Sequence, residues 1–220
     1  MSIEKLLIGE SYETYFTAAE LGLNPILSDE STSLRIIDLF HNPYDHPVLS
    51  NYSAVICSLL LADPDIVPKG VIAGKNPFHS SNNQLFEGGR DIMDAALKLH
   101  IPFVLLARYD FGGSDNIYQE HEGKVAEISG KYLQSSDYEY GGYNAEKNFI
   151  LITNHTFNQS NPQDYFRGNP STWKKTYDLL EACLKQREEI TKNPIINGKL
   201  SFDTIKGYAA RYPDIEQILK

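Results

Sequence analysis

Apolar residues fall into two kinds of pattern along this chain. In one they run together. "YSAVICSLLLA" (52–62), "FVLLA" (103–107) and "FILITN" (149–154) are nearly unbroken, as strands covered by helices on both faces tend to be. For 52–62 the periodicity alone also permits a short buried helix. In the other pattern they recur at helical spacing. Ile92, Ala96 and Leu99 lie at i, i+4 and i+7, widened by Met93 and Leu97. Ile101-Pro102 closes that segment, because a proline disfavours helical geometry in the residue before it. Trp173, Tyr177, Leu180 and Leu184 make one face of a helix predicted from Thr172 to about Thr191, with Ser171 as its cap.

The remaining segments follow from weaker patterns. "KLLIGES" (5–11) predicts a first strand entering a turn. "YETYFTAAELGL" (12–23) predicts a helix with Tyr12, Phe16, Ala19 and Leu23 at helical spacing and Gly22 as its stop. "NPILSDE" (24–30) reads as a short second strand. "TSLRIIDLFHNP" (32–43) reads as a helix with Leu34, Ile37 and Phe40 inward, closed by Pro43. A helix over 122–134, interrupted by Gly130, lies between the loop-like stretch 108–121 and the tyrosine-rich polar loop 135–148. Residues 63–83 and 155–170 are long connections, the first with a short strand at "GVIAG". Residues 201–220 give two short helices parted at Pro213.

Strand, helix and strand across 52–107 fit one βαβ unit, which implies a parallel sheet. The prediction is a three-layer, doubly wound, mostly parallel α/β domain over 1–192, followed by a small helical appendage over 193–220.

Composition narrows the classes of function. A chain of 220 residues, 41% hydrophobic and 22% charged, can bury a core without disulfides or metals. The net charge of -9 favours solubility and opposes an electrostatic grip on DNA or an anionic membrane. Lys199, Lys206, Arg211 and Lys220 are set against Asp203, Asp214 and Glu216, a poor footprint for nucleic acid. Packing on the main domain or on a second subunit suits the last helices better. No run approaches 18 apolar residues, so no membrane span is predicted. The start "MSIEKLLIGESYET" has no basic leader and h-region, so a cytoplasmic location without signal peptide is expected. The triplets at Asn51, Asn154 and Asn158 then match the glycosylation pattern by chance.

Motifs for metals and common cofactors are missing. The two cysteines, Cys57 and Cys183, form no CxxC and read as free buried thiols. The six histidines form no HExxH pair, and Pro43 interrupts "FHNPYDH", so no metal site and no cofactor is predicted. GxGxxG, Walker A and GxSxG sequences are all absent.

Three groups of residues remain as candidate sites. Gly9, Glu10 and Ser11 follow the first strand, where open α/β sheets bind ligands. "SSNNQLFEGGRD" places Ser80, Ser81, Glu87 and Arg90 around a helix start whose free N–H groups suit an anion or hydroxylated ligand. The structural alternative has Glu87 or Asp91 supporting the helix N-terminus, Gly88 and Gly89 packing closely, and Arg90 solvated. Tyr109, Phe111, Tyr138, Tyr140 and Tyr143, with Tyr132 nearby, suit a protein-contact surface, since tyrosines bury much area at modest entropy cost. They suit the cover of a core edge equally.

Two resemblances arise from these segments. "KLLIGES", "YSAVICSLLL" and "EGGRDIMDAALKLHIPFVLLA" resemble the first strand, central strand and following helix–strand of response-regulator receiver domains, over roughly residues 3–110. Glu10 would stand for one acid of the receiver's acidic pair. Cys57 and Ser58 occupy the neighbourhood of its phosphorylated aspartate, with Asp63 several residues late. Ala107 falls where the receiver has a hydroxyl residue, and Lys147 precedes the expected fifth strand when it should follow. This resemblance implies a degenerate receiver: a non-catalytic regulatory or adaptor-type domain that binds a protein partner or itself.

"SSNNQLFEGGRDIMDAALKLHIPFVLL" is similar to the corresponding part of nucleoside deoxyribosyltransferase-like enzymes. Glu87 holds the nucleophile-like position and Ser80 or Ser81 lies upstream, although the aspartate-glycine-threonine element is missing. That likeness implies the alternative: an enzyme acting on a nucleoside or nucleotide ligand at the N-glycosidic bond through Glu87, with Glu10 nearby.

Overall fold

The computed structural model describes residues 3–10, 13–29, 35–38, 49–59, 88–107, 116–133, 141–144, 146–154, 156, 166–192 and 200–201. The apolar runs form the strands β1 (Lys5–Gly9), β3 (Ala54–Ser58), β4 (Phe103–Ala107) and β6 (Phe149–Thr153). Shorter strands are β2 (Arg35–Asp38), β5 (Gly142–Asn144) and β7 (Leu200–Ser201). The helices are α1 (Glu13–Leu27), α2 (Gly88–Lys98), α3 (Asn116–Tyr132) and α4 (Pro170–Lys192). Among the described residues the strands make one sheet in the order β2-β1-β3-β4-β6-β5-β7. All pairs from β2 through β6 are parallel, and β5 runs antiparallel to both β6 and β7.

Strand periodicity divides the core in two. Leu6, Ile8, Ala54, Ile56, Val104, Leu106, Ile150 and Ile152 face α1 and α4, where Phe16, Leu23, Trp173 and Leu180 cover them. The alternate residues Leu7, Val55, Cys57, Phe103, Leu105, Phe149 and Leu151 face α2 and α3, meeting Met93, Ala96, Val125 and Ile128. Side chains that alternate across a pleat and are apolar on both faces require helices on both sides. The result is a three-layer, doubly wound α/β fold, and the 52–107 unit is the parallel βαβ that the pattern predicts.

Several local expectations are corrected. Gly22 does not stop α1, which continues through Pro25 to Leu27. Its role is close approach: a methyl at Gly22 would collide with the carbonyl of Pro170 at the start of α4, so helix-on-helix packing carries α1 past its local breakers. The second strand is therefore not in 24–30. It is β2, inside the segment read as a helix, and its register of Lys5 with Arg35 shows why. Two adjacent isoleucines fit either period, and pairing with β1 decides.

α2 ends in a Schellman motif. Ile101 N–H donates to Ala96 O at 2.9 Å, His100 N–H donates to Leu97 O at 3.2 Å, and His100 is left-handed with φ 57°. Ile101 thus turns inward, and Leu99, expected on the apolar face, is 52% exposed. α3 begins at Asn116, inside the predicted loop. β5 lies in the tyrosine-rich segment read as a loop. The cap of α4 is Asn169, whose Oδ1 accepts the Ser171 N–H at 2.9 Å, and Pro170 fills the first helical position. Of the expected helical appendage, Leu200–Ser201 form an edge strand, and the rest lies outside the described residues.

Candidate functional site

The sheet order reverses between β1 and β3: β2 lies on one side of β1, while β3, β4 and β6 follow on the other. In open α/β sheets, the crevice beyond the carboxyl ends of the strands at such a reversal is where ligands bind. Glu10 follows the last residue of β1, and Ser58 is the last residue of β3; Gly9 pairs with Cys57 between them.

These two residues are joined by a third. Ser58 Oγ donates to Glu10 Oε1 at 2.6 Å. Arg167 Nη1 donates to Glu10 Oε2 at 2.9 Å and also to Ser58 Oγ. The Glu10 side chain is fully enclosed, whereas that of Arg167 keeps 18% of its surface in solvent. A carboxylate removed from water requires a paired charge and hydrogen bonds, and Glu10 has both.

Arg167 arrives on the turn Phe166–Gly168, just ahead of α4. That turn is anchored twice. Phe166 is buried in the α1/α4 core, and the indole N–H of Trp173 donates to Arg167 O at 2.7 Å. The guanidinium carbon lies 4.6 Å from the centroid of the Tyr15 ring on α1, a cation–π contact. Ring, turn and buried carboxylate together hold the guanidinium in one place.

The start of α2 reaches the same point. A methyl on Gly89 would collide with the carbonyl oxygens of Ser58 and Leu59. Glycine here lets the first turn of α2 rest on the end of β3. Ser58 is thus touched on its hydroxyl by Glu10 and Arg167, and on its carbonyl by α2.

Cys57 sits beside the cluster, with its Sγ 3.3 Å from Ser58 O. Burial pushes its thiol pKa up, the Glu10 charge adds to this, and Arg167 partly offsets it. A protonated, enclosed thiol is a packing group, not a nucleophile. Cys183 is likewise free and buried in the opposite core layer, where burial raises its pKa too.

Other predicted site residues fall elsewhere. Arg90 pairs with α3, where its Nη2 donates to Glu127 Oε1 at 2.6 Å. Tyr143, expected on a contact surface, is 1% exposed and donates from its hydroxyl to Cys183 O at 3.2 Å. As the central residue of β5 it packs into the α1/α4 core. Tyr132 is also buried and donates to Asp94 Oδ1 at 2.5 Å. Ser11, Ser80, Ser81, Glu87, Tyr109, Phe111, Tyr138 and Tyr140 lie outside the described residues. Among the described residues, no group of three or more His, Cys, Asp or Glu side chains could hold a metal ion, and no helix is long and apolar enough to cross a membrane.

Sequence reasoning placed Glu10 and passed over Arg167. The only local signal was an arginine inside a glycine- and proline-bearing stretch, "YFRGNP", next to a well-patterned helix. Its partner Glu10 is 157 residues away, a separation no periodicity can bridge.

Fold and cluster together define an open α/β protein with a charged, hydrogen-bonded group of side chains where its sheet order reverses. The chain matches no protein-family model, no curated protein and no solved structure.

Proposed function

We propose that the carboxyl edge of β1 and β3 is a small-molecule site for a ligand of the nucleoside or nucleotide class. The chain acts on such a ligand at its N-glycosidic bond, with Glu87 as the reacting carboxylate. One observation carries this reading. The first turn of α2, which follows Glu87 directly in the sequence, rests on the carbonyl of Ser58, whose hydroxyl is bound to Glu10. In the chemistry this implies, a Glu87 oxygen bonds to the anomeric carbon as the C–N bond breaks. The bonding pair leaves with the base, which takes a proton from solvent. Water then hydrolyses the glycosyl ester and restores the carboxylate.

A thermal-shift screen over nucleosides, nucleotides, sugar phosphates and acetyl phosphate with magnesium tests it, since a ligand that binds only the native state raises its stability. The expected result is a stabilising nucleoside or nucleotide, with turnover lost and binding kept in Glu87→Ala. If no member of that class stabilises the protein, the reading fails.

A second reading, a non-catalytic regulatory domain binding a protein partner or a second copy, is supported by one feature. Each Glu10 oxygen already holds a partner, an arrangement suited to fixed structure more than to proton transfer. Ligand binding without turnover in the unmodified protein would favour it.

A further inference from the structure

We infer that Arg167 is the anion-recognition residue of this site, offering the Nε/Nη2 edge of its guanidinium to the phosphate of a nucleoside monophosphate. This assignment rests on the ligand class proposed above and narrows it from nucleoside to nucleotide.

Three observations converge on it. First, Arg167 spends only Nη1 on the cluster; among the described residues neither Nε nor Nη2 makes a hydrogen bond. Those atoms form one side of the guanidinium fork, the geometry that takes two oxygens of a phosphate in parallel. Second, Arg167 is the cluster's accessible member. Glu10 and Ser58 are enclosed, so a ligand reaching this edge meets the guanidinium. Third, the fork is set in advance by the Tyr15 ring, the Trp173 bond to its backbone and the two side-chain bonds at Nη1. Little side-chain entropy is left to lose on binding.

Glu10 neutralises part of the guanidinium charge, but from the Nη1 side. Coulomb attraction falls with distance, so an oxyanion on the opposite edge lies nearer the cation than the carboxylate beyond it. The start of α2 rests on the carbonyl of Ser58, the residue whose hydroxyl Arg167 also holds. Glu10 and Ser58 are then positioning residues: they hold Arg167 and do not touch ligand.

Calorimetric titration of the full chain with a purine nucleoside, its 5′-monophosphate and inorganic phosphate tests this, in the unmodified protein and in Arg167→Gln and Arg167→Lys. The monophosphate should bind tighter than the nucleoside by roughly 10- to 100-fold, the range for a charge-assisted pair of hydrogen bonds. Arg167→Gln should erase that margin. If Arg167→Gln does not fold, Arg167→Lys keeps the charge and should shrink the margin, because an ammonium cannot form the two-pronged contact. An equal margin in the variant and the unmodified protein, or no margin at all, overturns the assignment. If neither organic ligand binds, the nucleoside reading fails, and inorganic phosphate decides on Arg167 alone. Phosphate binding the unmodified protein more tightly than Arg167→Lys supports an anion site; equal binding to both, or none to the unmodified protein, overturns it.

Discussion

The two edges of the parallel sheet use polar residues in different ways. At the amino edge, side chains serve the backbone. Ser53, ahead of β3, accepts the N–H groups of Glu4 and Lys5 at 3.3 and 3.2 Å. Asn148, ahead of β6 and left-handed at φ 55°, donates from Nδ2 to His100 O at 3.1 Å. Such bonds close strand and helix ends. At the carboxyl edge of β1 and β3, side chains bond to one another: a buried glutamate, a buried serine and an arginine brought from just ahead of α4. A fold could end two strands there as it does at the other edge. That it gathers an ion pair at the switch point, with donors to spare on the part-buried partner, is what favours this edge as the proposed site.

The contrast can be broken by substitution. The largest effect should come from Arg167→Met, which leaves Glu10 buried without its charge partner and should cost about 3–5 kcal/mol of stability in denaturant unfolding. Replacing Glu10 with leucine in the same chain should restore most of that, since an apolar pair needs no compensation. A loss below about 1 kcal/mol, in the range of an exposed ion pair, would make the cluster a surface contact. Gly89→Ala should come next, at about 1–3 kcal/mol, because the start of α2 must lift from Ser58 to admit a methyl.

An alkaline titration gives a further test. The folded-state pKa of Cys57 is raised above its ordinary value of 9.0, so its proton is held more tightly in the native state than in the unfolded one. Its contribution is complete below that value and is lost as pH climbs toward the folded-state pKa. Stability should therefore fall above about pH 9, by about 1.4 kcal/mol per pH unit for each such thiol. Cys57→Ala should remove one thiol's share of the slope, leaving that of Cys183. An unchanged slope would count against the enclosure of Cys57. The smallest effect belongs to the amino edge: Ser53→Ala should cost about 1 kcal/mol, the net worth of an ordinary hydrogen bond, with ligand binding untouched.

The sequence showed the layers of this fold more clearly than its edges. Residues 54–58, 103–107 and 149–153 could be read as buried strands because they are apolar on both faces. β2 and β5 escaped because three or four residues carry too little pattern, and pairing with a neighbour supplies what the local sequence lacks. α1 ran past Gly22 and Pro25 because its contact with α4 outweighs helix propensity there. At the site, the location of Glu10 followed from a strand end alone. The location of Arg167 did not, since it depends on a turn fixed by Trp173 and Phe166.

The most direct test of the carboxyl edge as a ligand site is to follow the Arg167 Nε–H resonance by nuclear magnetic resonance while a nucleoside monophosphate is added. The reporters are the backbone amides of Lys5 and Ser53 at the opposite edge. A ligand site at β1 and β3 predicts that the Arg167 signal shifts and exchanges more slowly with solvent, with the Lys5 and Ser53 amides unmoved. An Arg167 signal that stays in place while the ligand binds, with shifts at the amino edge or elsewhere, would contradict it.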